Sequence, residues 1–158
     1  MENEIKVTNA DLIVDEGEKV QYIVIKLGNE QYGIDIKYID NIVRMQSITR
    51  VPHVPNYIKG VINLRGEVIP VLNLRLKMNL EEVEETKASR IIILKIEQYG
   101  LLGFIVDEVK EVVTLSEIQI EKTAYDGTEE KQNFVFGVGK NDGQLISLLD
   151  MNVVCQEK

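Results

Sequence analysis

Short apolar runs separated by turn residues are the main pattern along this chain. Residues 22–27 form one such run, which ends at Gly28-Asn29 and is typical of a strand followed by a turn. Two further runs, residues 61–64 and 68–72, flank Arg65-Gly66 and predict a β-hairpin. The pattern therefore predicts a mainly β protein.

A few segments depart from this β pattern. Residues 1–19 mix acidic and polar residues and predict a flexible arm, and residues 77–89 carry four glutamates and predict a linker. An apolar run at 91–96 resumes the β pattern, and residues 148–154 predict a short terminal helix. Pro70 has no N–H to donate, so its strand is expected at a sheet edge or with a bulge.

An internal repeat divides the chain into two related halves. Gln31-Tyr32-Gly33 recurs 67 residues later as Gln98-Tyr99-Gly100, and Gly60 and Gly66 recur 77 residues later as Gly137 and Gly143. The change of offset predicts a ten-residue insertion at about 124–133. Each half then holds about five strands, the size of a small closed barrel. We expect two pseudo-symmetric barrels, at about 20–76 and 90–154, with a groove between them.

Composition narrows the class of protein. Hydrophobic residues make up 44% of the 158, and with no Trp and 6% aromatics the core is expected to be mostly Ile, Val and Leu. The net charge of −8 disfavours nucleic acid as a partner. One cysteine excludes an internal disulfide and suits a reducing compartment. There is no signal peptide pattern and no apolar stretch of about 18 residues, so we expect a cytoplasmic protein.

Residues for catalysis or metal binding are scarce. His53, the only histidine, lies in a proline-bracketed loop, and Cys155 lies near the C-terminus, so we expect structural roles for both. No Cys/His pair has zinc-ligand spacing. Asp107, Glu108 and Glu111 form an acidic cluster that a metal could use, although a solvated face is the commoner outcome.

The repeat draws attention to Arg65, because the second copy has Asp142 at the same turn position. Tight turns prefer Asp, Asn or Gly there, so Arg65 brings no advantage to the turn. An exposed guanidinium suits recognition of a carboxylate or packing in an interface. A tolerated surface arginine is the other explanation.

Several segments together resemble the CheW family of chemotaxis coupling proteins. They are residues 32–36 (YGIDI), 57–66 (YIKGVINLRG), 68–75 (VIPVLNLR) and 103–107 (GFIVD). The resemblance covers about residues 20–154 and implies two five-stranded, SH3-like barrels around a hydrophobic centre. It also implies a non-catalytic adaptor without a cofactor, which couples methyl-accepting chemoreceptors to the regulatory domain of the histidine kinase CheA.

The resemblance further implies which residues bind protein partners. They are Ile39, Asn41 and Val43, just after the YGIDI motif, and Gly60 and Arg65 in the turn region. The family often has Glu at the position of Asn41, so a charged contact made by that acid would be missing here. The alternative function is a small β-barrel protein that binds a ligand, or catalyses a reaction, in the groove between the barrels.

Overall fold

The structure is a computed structural model that describes residues 17–122 and 134–156. The predicted insertion and most of the predicted N-terminal arm lie outside the described residues. Eleven strands and two short helices are described. The strands are β1 (Lys19–Leu27), β2 (Glu30–Asp35), β3 (Ile39–Arg44), β4 (Ile58–Leu64), β5 (Glu67–Asn73), β6 (Arg90–Ile96), β7 (Gly100–Val106), β8 (Glu108–Ser116), β9 (Ile120–Lys122), β10 (Val135–Asn141) and β11 (Gln144–Leu149); the helices are α1 (Leu74–Lys77) and α2 (Met151–Val154).

The strands form two sheets. One has the order β9-β10-β11-β2-β1-β8 and the other β3-β6-β7-β5-β4. We call the first the terminal barrel, because its strands come from both ends of the described chain, and the second the central barrel. The mainly β class, the two SH3-like barrels and the short C-terminal helix are confirmed.

Both sheets close in the same way. In the terminal barrel the 3-10 turn Glu117–Gln119 leads from β8 to β9, which pairs with β10, so the closing strand is split in two. In the central barrel the chain beyond β3 returns to β4, where Thr49 and Val61 exchange two hydrogen bonds of 2.8 Å. The six-stranded sheet is therefore a five-stranded barrel with one interrupted strand.

The barrels do not divide the chain at the predicted linker. Strands β1 and β2 belong to the terminal barrel, where β2 pairs in parallel with β11, while β6 and β7 belong to the central barrel, where β7 pairs in parallel with β5. The two halves of the repeat have thus exchanged their first hairpins. A repeat shows which segments are alike but not which copy they pair with, so the predicted division at 76 and 90 differs from the observed one.

The hairpin turns of the repeat coincide as predicted. Arg65-Gly66 and Asp142-Gly143 each join two antiparallel strands, and the backbone at Arg65 and Asp142 is left-handed, with φ of 52° and 50°. A register shift precedes Gly60 in β4 and Gly137 in β10. The offset of 77 residues is therefore structural.

The predicted match between Gly33 and Gly100 is wrong. Gly33 lies opposite Leu148 of the parallel neighbour β11, and Gly103 lies opposite Val71 of the parallel neighbour β5, so Gly103 is the counterpart of Gly33. The turn between β6 and β7 is one residue longer than the turn between β1 and β2. That extra residue shifts the register, and the recurring Gln-Tyr-Gly letters are not equivalent.

Pro70 does not lie at an edge, because β5 is an internal strand between β7 and β4. Val61, which faces Pro70, exchanges its backbone hydrogen bonds with Thr49, so the nitrogen of Pro70 points away from β4. Pairing of β5 with β7 begins only at Val71. The missing N–H therefore falls where neither neighbouring strand needs a donor.

The core has three apolar clusters, built mostly from Ile, Val and Leu as predicted. The largest takes residues from both barrels, including Ile25 and Leu149 of the terminal barrel and Ile92 and Phe104 of the central one. Each barrel also has a smaller cluster of its own. The barrels consequently share one buried interface.

Candidate protein-interaction surface

Strand β3 carries three of the predicted partner-binding residues. It follows a 3-10 turn that begins at Asp35, whose Oδ1 accepts a hydrogen bond of 2.9 Å from the backbone N–H of Lys37. Ile39 packs against the shared core and Val43 against the central-barrel cluster, and both are half-buried. Each side chain therefore supports the barrel and still offers part of its surface.

Asn41 lies beside a bulge in β3, where the pairing with β6 shifts by one residue. Its Oδ1 accepts a hydrogen bond of 2.8 Å from the backbone N–H of Ile42. A bulge is a common device for redirecting a side chain. The half-buried amide is neutral, so this position adds no charge to the surface.

Arg65 is exposed at the tip of the β4–β5 hairpin, with 71% of its side chain accessible. Its Nη2 lies 4.0 Å from Oδ2 of Asp40 in β3, so the tip of the hairpin reaches that strand. The predicted exposure is confirmed, and the nearest carboxylate belongs to the same chain. The residue is also in the left-handed region, where Asn, Asp and Gly are favoured.

Gly60 is buried and does not lie on this surface. A Cβ at this position would lie 2.1 Å from the carbonyl oxygen of Thr49, and φ is +144°. Only glycine allows β4 to approach the returning chain this closely. Gly60 therefore supports barrel closure and could influence a partner only by shaping the surface around it.

The predicted residues thus fall into two groups. The ion pair between Asp40 and Arg65 brings Arg65 to the segment that holds Ile39, Asn41 and Val43, whereas Gly60 lies inside. We call the exposed group, Ile39 to Val43 with Arg65, the β3–hairpin surface. It combines a mobile cation, one carboxylate and partly exposed aliphatic groups, which is chemistry suited to binding a protein.

A clasp between the barrels was not anticipated from the sequence. Arg75 of α1 donates from Nε to Oδ1 of Asp107 at 2.9 Å and from Nη2 to Oδ2 at 2.6 Å. Oδ2 of Asp107 also accepts the backbone N–H of Gly28 at 2.7 Å, and Nη1 of Arg75 donates to the carbonyl of Glu81 at 3.1 Å. The clasp ties the central barrel to the β1–β2 turn of the terminal barrel.

Electrostatics agree with this geometry. The hydrogen bond from Arg75 lowers the pKa of Asp107 below its usual value, against an opposing effect of burial, and the N–H of Gly28 adds to the lowering. Only 15% of the Arg75 side chain and 26% of the Asp107 side chain are exposed. The predicted solvated face was therefore wrong for Asp107. No local signal pairs residues 32 positions apart.

The candidate nucleophile and base do not resemble a catalytic pair. His53 is exposed in the loop before β4, whereas Cys155 is buried beside α2. Burial raises the pKa of the Cys155 thiol to about 11, and Lys77 opposes this shift only in part. A reactive cysteine needs a lowered thiol pKa, so the environment of Cys155 disfavours nucleophilic chemistry.

Metal and membrane features were also sought in residues 17–122 and 134–156. Within them, no three His, Cys, Asp or Glu side chains are grouped so that they could hold a metal ion. None of the helices described there is long and apolar enough to cross a membrane.

Comparison with known proteins identifies the family. The family model described as the CheW-like domain matches residues 21–158, which is most of the chain. This chain belongs to the CheW family.

Members of the CheW family from distant bacteria align over nearly the whole chain. The Chemotaxis protein CheW of Bacillus subtilis is 36% identical over 145 residues, covering 92% of this chain and 91% of that protein. The Chemotaxis protein CheW of Helicobacter pylori is 32% identical over 143 residues, covering 90% of this chain and 86% of its own length. The crystal structure of scaffolding protein TtCheW from Thermoanaerobacter tengcongensis matches with a TM-score of 0.81 and 34% identity, covering 89% of this chain and 95% of that one.

Proposed function

We propose that this protein is a non-catalytic cytoplasmic adaptor in bacterial chemotaxis. It couples the cytoplasmic tips of methyl-accepting chemoreceptors to the regulatory domain of the histidine kinase CheA. Membership of the CheW family carries the proposal, and the similar solved structure is named a scaffolding protein. The buried thiol with a raised pKa supports the absence of enzymatic activity. Nothing among the described residues favours the alternative of a ligand-binding or catalytic barrel.

The β3–hairpin surface is the proposed site of partner binding. Arg65 has its guanidinium in solvent and only an exposed ion pair to Asp40, so a partner carboxylate could replace that contact at little loss. Ile39 and Val43 offer aliphatic area next to the charges. A central anchor surrounded by weaker contacts is typical of protein interfaces.

The test is calorimetric binding of each partner, a CheA regulatory-domain fragment and a receptor-tip fragment, to wild type and to variants. Arg65→Ala is expected to weaken binding of one partner by about 1–3 kcal/mol, and Arg65→Glu to weaken it further through repulsion. The matched control is Lys140→Glu, an exposed lysine near the equivalent hairpin turn of the terminal barrel.

A thermal melt of each variant separates binding from folding. Wild-type affinity of both Arg65 variants for both partners would remove Arg65 from the site. Failure of the wild-type protein itself to bind either fragment would contradict the adaptor function.

A further inference from the structure

Two arginines face each other at the end of the central barrel. Arg44 is the last residue of β3 and Arg90 the first of β6, and they are direct cross-strand partners. Like charges placed opposite each other destabilise a sheet. The pair occurs in a chain whose net charge is −8, so an acidic partner for each arginine would have been easy to supply.

The pseudo-symmetry shows that the fold does not require this pair. The counterpart of the Arg44–Arg90 pair in the terminal barrel is the pair Thr114–Gln21, because both hairpins share the same register and the same bulge. Those side chains are neutral. The two arginines therefore serve something other than the architecture of the barrel.

A turn next to the pair adds a third cation and fixes its position. The backbone N–H of Thr86 donates to Oγ of Ser89 at 2.8 Å, which closes the turn that carries Lys87. Nη1 of Arg90 donates to the carbonyl oxygens of Lys87 and Ser89, both at 2.8 Å. The guanidinium of Arg90 is thus held in place through one nitrogen, and its Nε and Nη2 donate to no group in the described part of the chain.

No carboxylate within the described residues forms an ion pair with Arg44, Lys87 or Arg90. Glu84 and Glu85 line the adjoining cavity and lie outside ion-pairing distance. The three cations border a surface groove of about 400 Å³. Its lining residues are Arg44, Met45, Thr86, Lys87, Ser89 and Arg90.

We propose that this groove, the basic groove, binds an acidic segment of a partner protein through the carboxylates of that segment. Arg90 supplies a preorganised donor, while Arg44 and Lys87 are exposed and can adjust to the incoming carboxylates. Met45 provides an apolar wall for the stem of a glutamate. Elsewhere the acidic surface repels such a segment, so the charge contrast directs it to this groove. The proposal does not depend on the adaptor function.

The test uses fluorescence anisotropy of a labelled hexaglutamate peptide at low salt, with a hexaserine peptide as the uncharged comparison. Wild type is expected to bind hexaglutamate but not hexaserine. Arg44→Glu combined with Lys87→Glu is expected to weaken binding at least about tenfold. The matched control is Lys95→Glu, an exposed residue of the same strand β6, which should leave binding nearly unchanged.

Arg44→Gln separates function from folding, because it should raise the melting temperature by relieving repulsion while it weakens the peptide. A lowered melting temperature for this variant would show that Arg44 is structural and overturn the proposal. Equal losses for Lys95→Glu and Arg44→Glu would reduce the effect to net charge and overturn it as well. So would preferential binding of inorganic phosphate or of phosphatidylserine vesicles, or no binding of hexaglutamate.

Discussion

Replacing Arg75 by methionine tests whether the clasp holds the two barrels together. Methionine keeps most of the length and apolar surface of the side chain, so packing changes little. The change removes two hydrogen bonds to Asp107 and one to the carbonyl of Glu81. Asp107 then keeps only the N–H of Gly28 as its partner.

The expected loss of stability follows from the geometry of the pair. Hydrogen bonds to charged groups contribute about 1.5–3 kcal/mol each. Two such bonds are lost, but Asp107 is 26% exposed and regains some hydration, so the net loss is expected at about 2–3 kcal/mol. For a domain of this size that corresponds to a melting temperature lower by about 5–10 °C.

Chemical denaturation by urea at pH 7 measures this loss. The matched control is Lys59→Met, which breaks the exposed pair between Lys59 and Glu82 at 2.7 Å and is expected to cost under about 1 kcal/mol. A double-mutant cycle with Asp107→Asn isolates the coupling between the two partners. If Arg75→Met costs no more than Lys59→Met, or if the coupling is near zero, the clasp does not stabilise the protein.

The same pair predicts a dependence on pH. Because the folded-state pKa of Asp107 is lowered, its contribution is present above the unfolded carboxyl pKa of about 3.9 and is lost as pH falls through the folded value. The stability gap between wild type and Arg75→Met should therefore narrow in acid. A gap that stays constant from pH 7 to below pH 3 would contradict the lowered pKa.

Three further changes probe other positions. Gly60→Ala should destabilise by about 3 kcal/mol or more in urea, because its Cβ would overlap the carbonyl of Thr49. Arg65→Asp should raise the melting temperature and Asp142→Arg lower it, since both residues are left-handed; equal effects would refute the turn argument. Cys155 should resist thiol reagents at pH 8 until urea unfolds the chain, because burial raises its pKa to about 11; fast native labelling would refute burial.

Features encoded by short segments were predictable from the sequence. The Arg65-Gly66 and Asp142-Gly143 turns lie between apolar runs, and hairpins of this kind depend on a few adjacent residues. The pairing of β2 with β11 was not predictable, because two similar hairpins fit either barrel equally well by pattern. The Gly33–Gly100 match failed for a related reason: three identical letters outweighed a change in turn length.

The candidate site was predictable to a similar degree. The exposure of Arg65 follows from its position in a turn, whereas its contact with Asp40 depends on how the hairpin folds back over β3. Gly60 is part of the motif that identifies the family, yet the structure places it inside, where it is required for backbone approach. A motif therefore marks residues that matter without separating contact from support.

The order of the strands gives the adaptor a specific mechanical property. The chain enters the terminal barrel with β1 and β2, builds the whole central barrel from β3 to β7, and then returns to complete the terminal barrel. The central barrel is thus an insertion, joined to its host at the segment after Asp35 and at Asp107. The clasp lies at the second of these junctions and the shared apolar cluster lies between the barrels. Two covalent connections, one ion pair and a common core together favour a single rigid body, in which a partner bound to one barrel occupies a fixed position relative to a partner bound to the other.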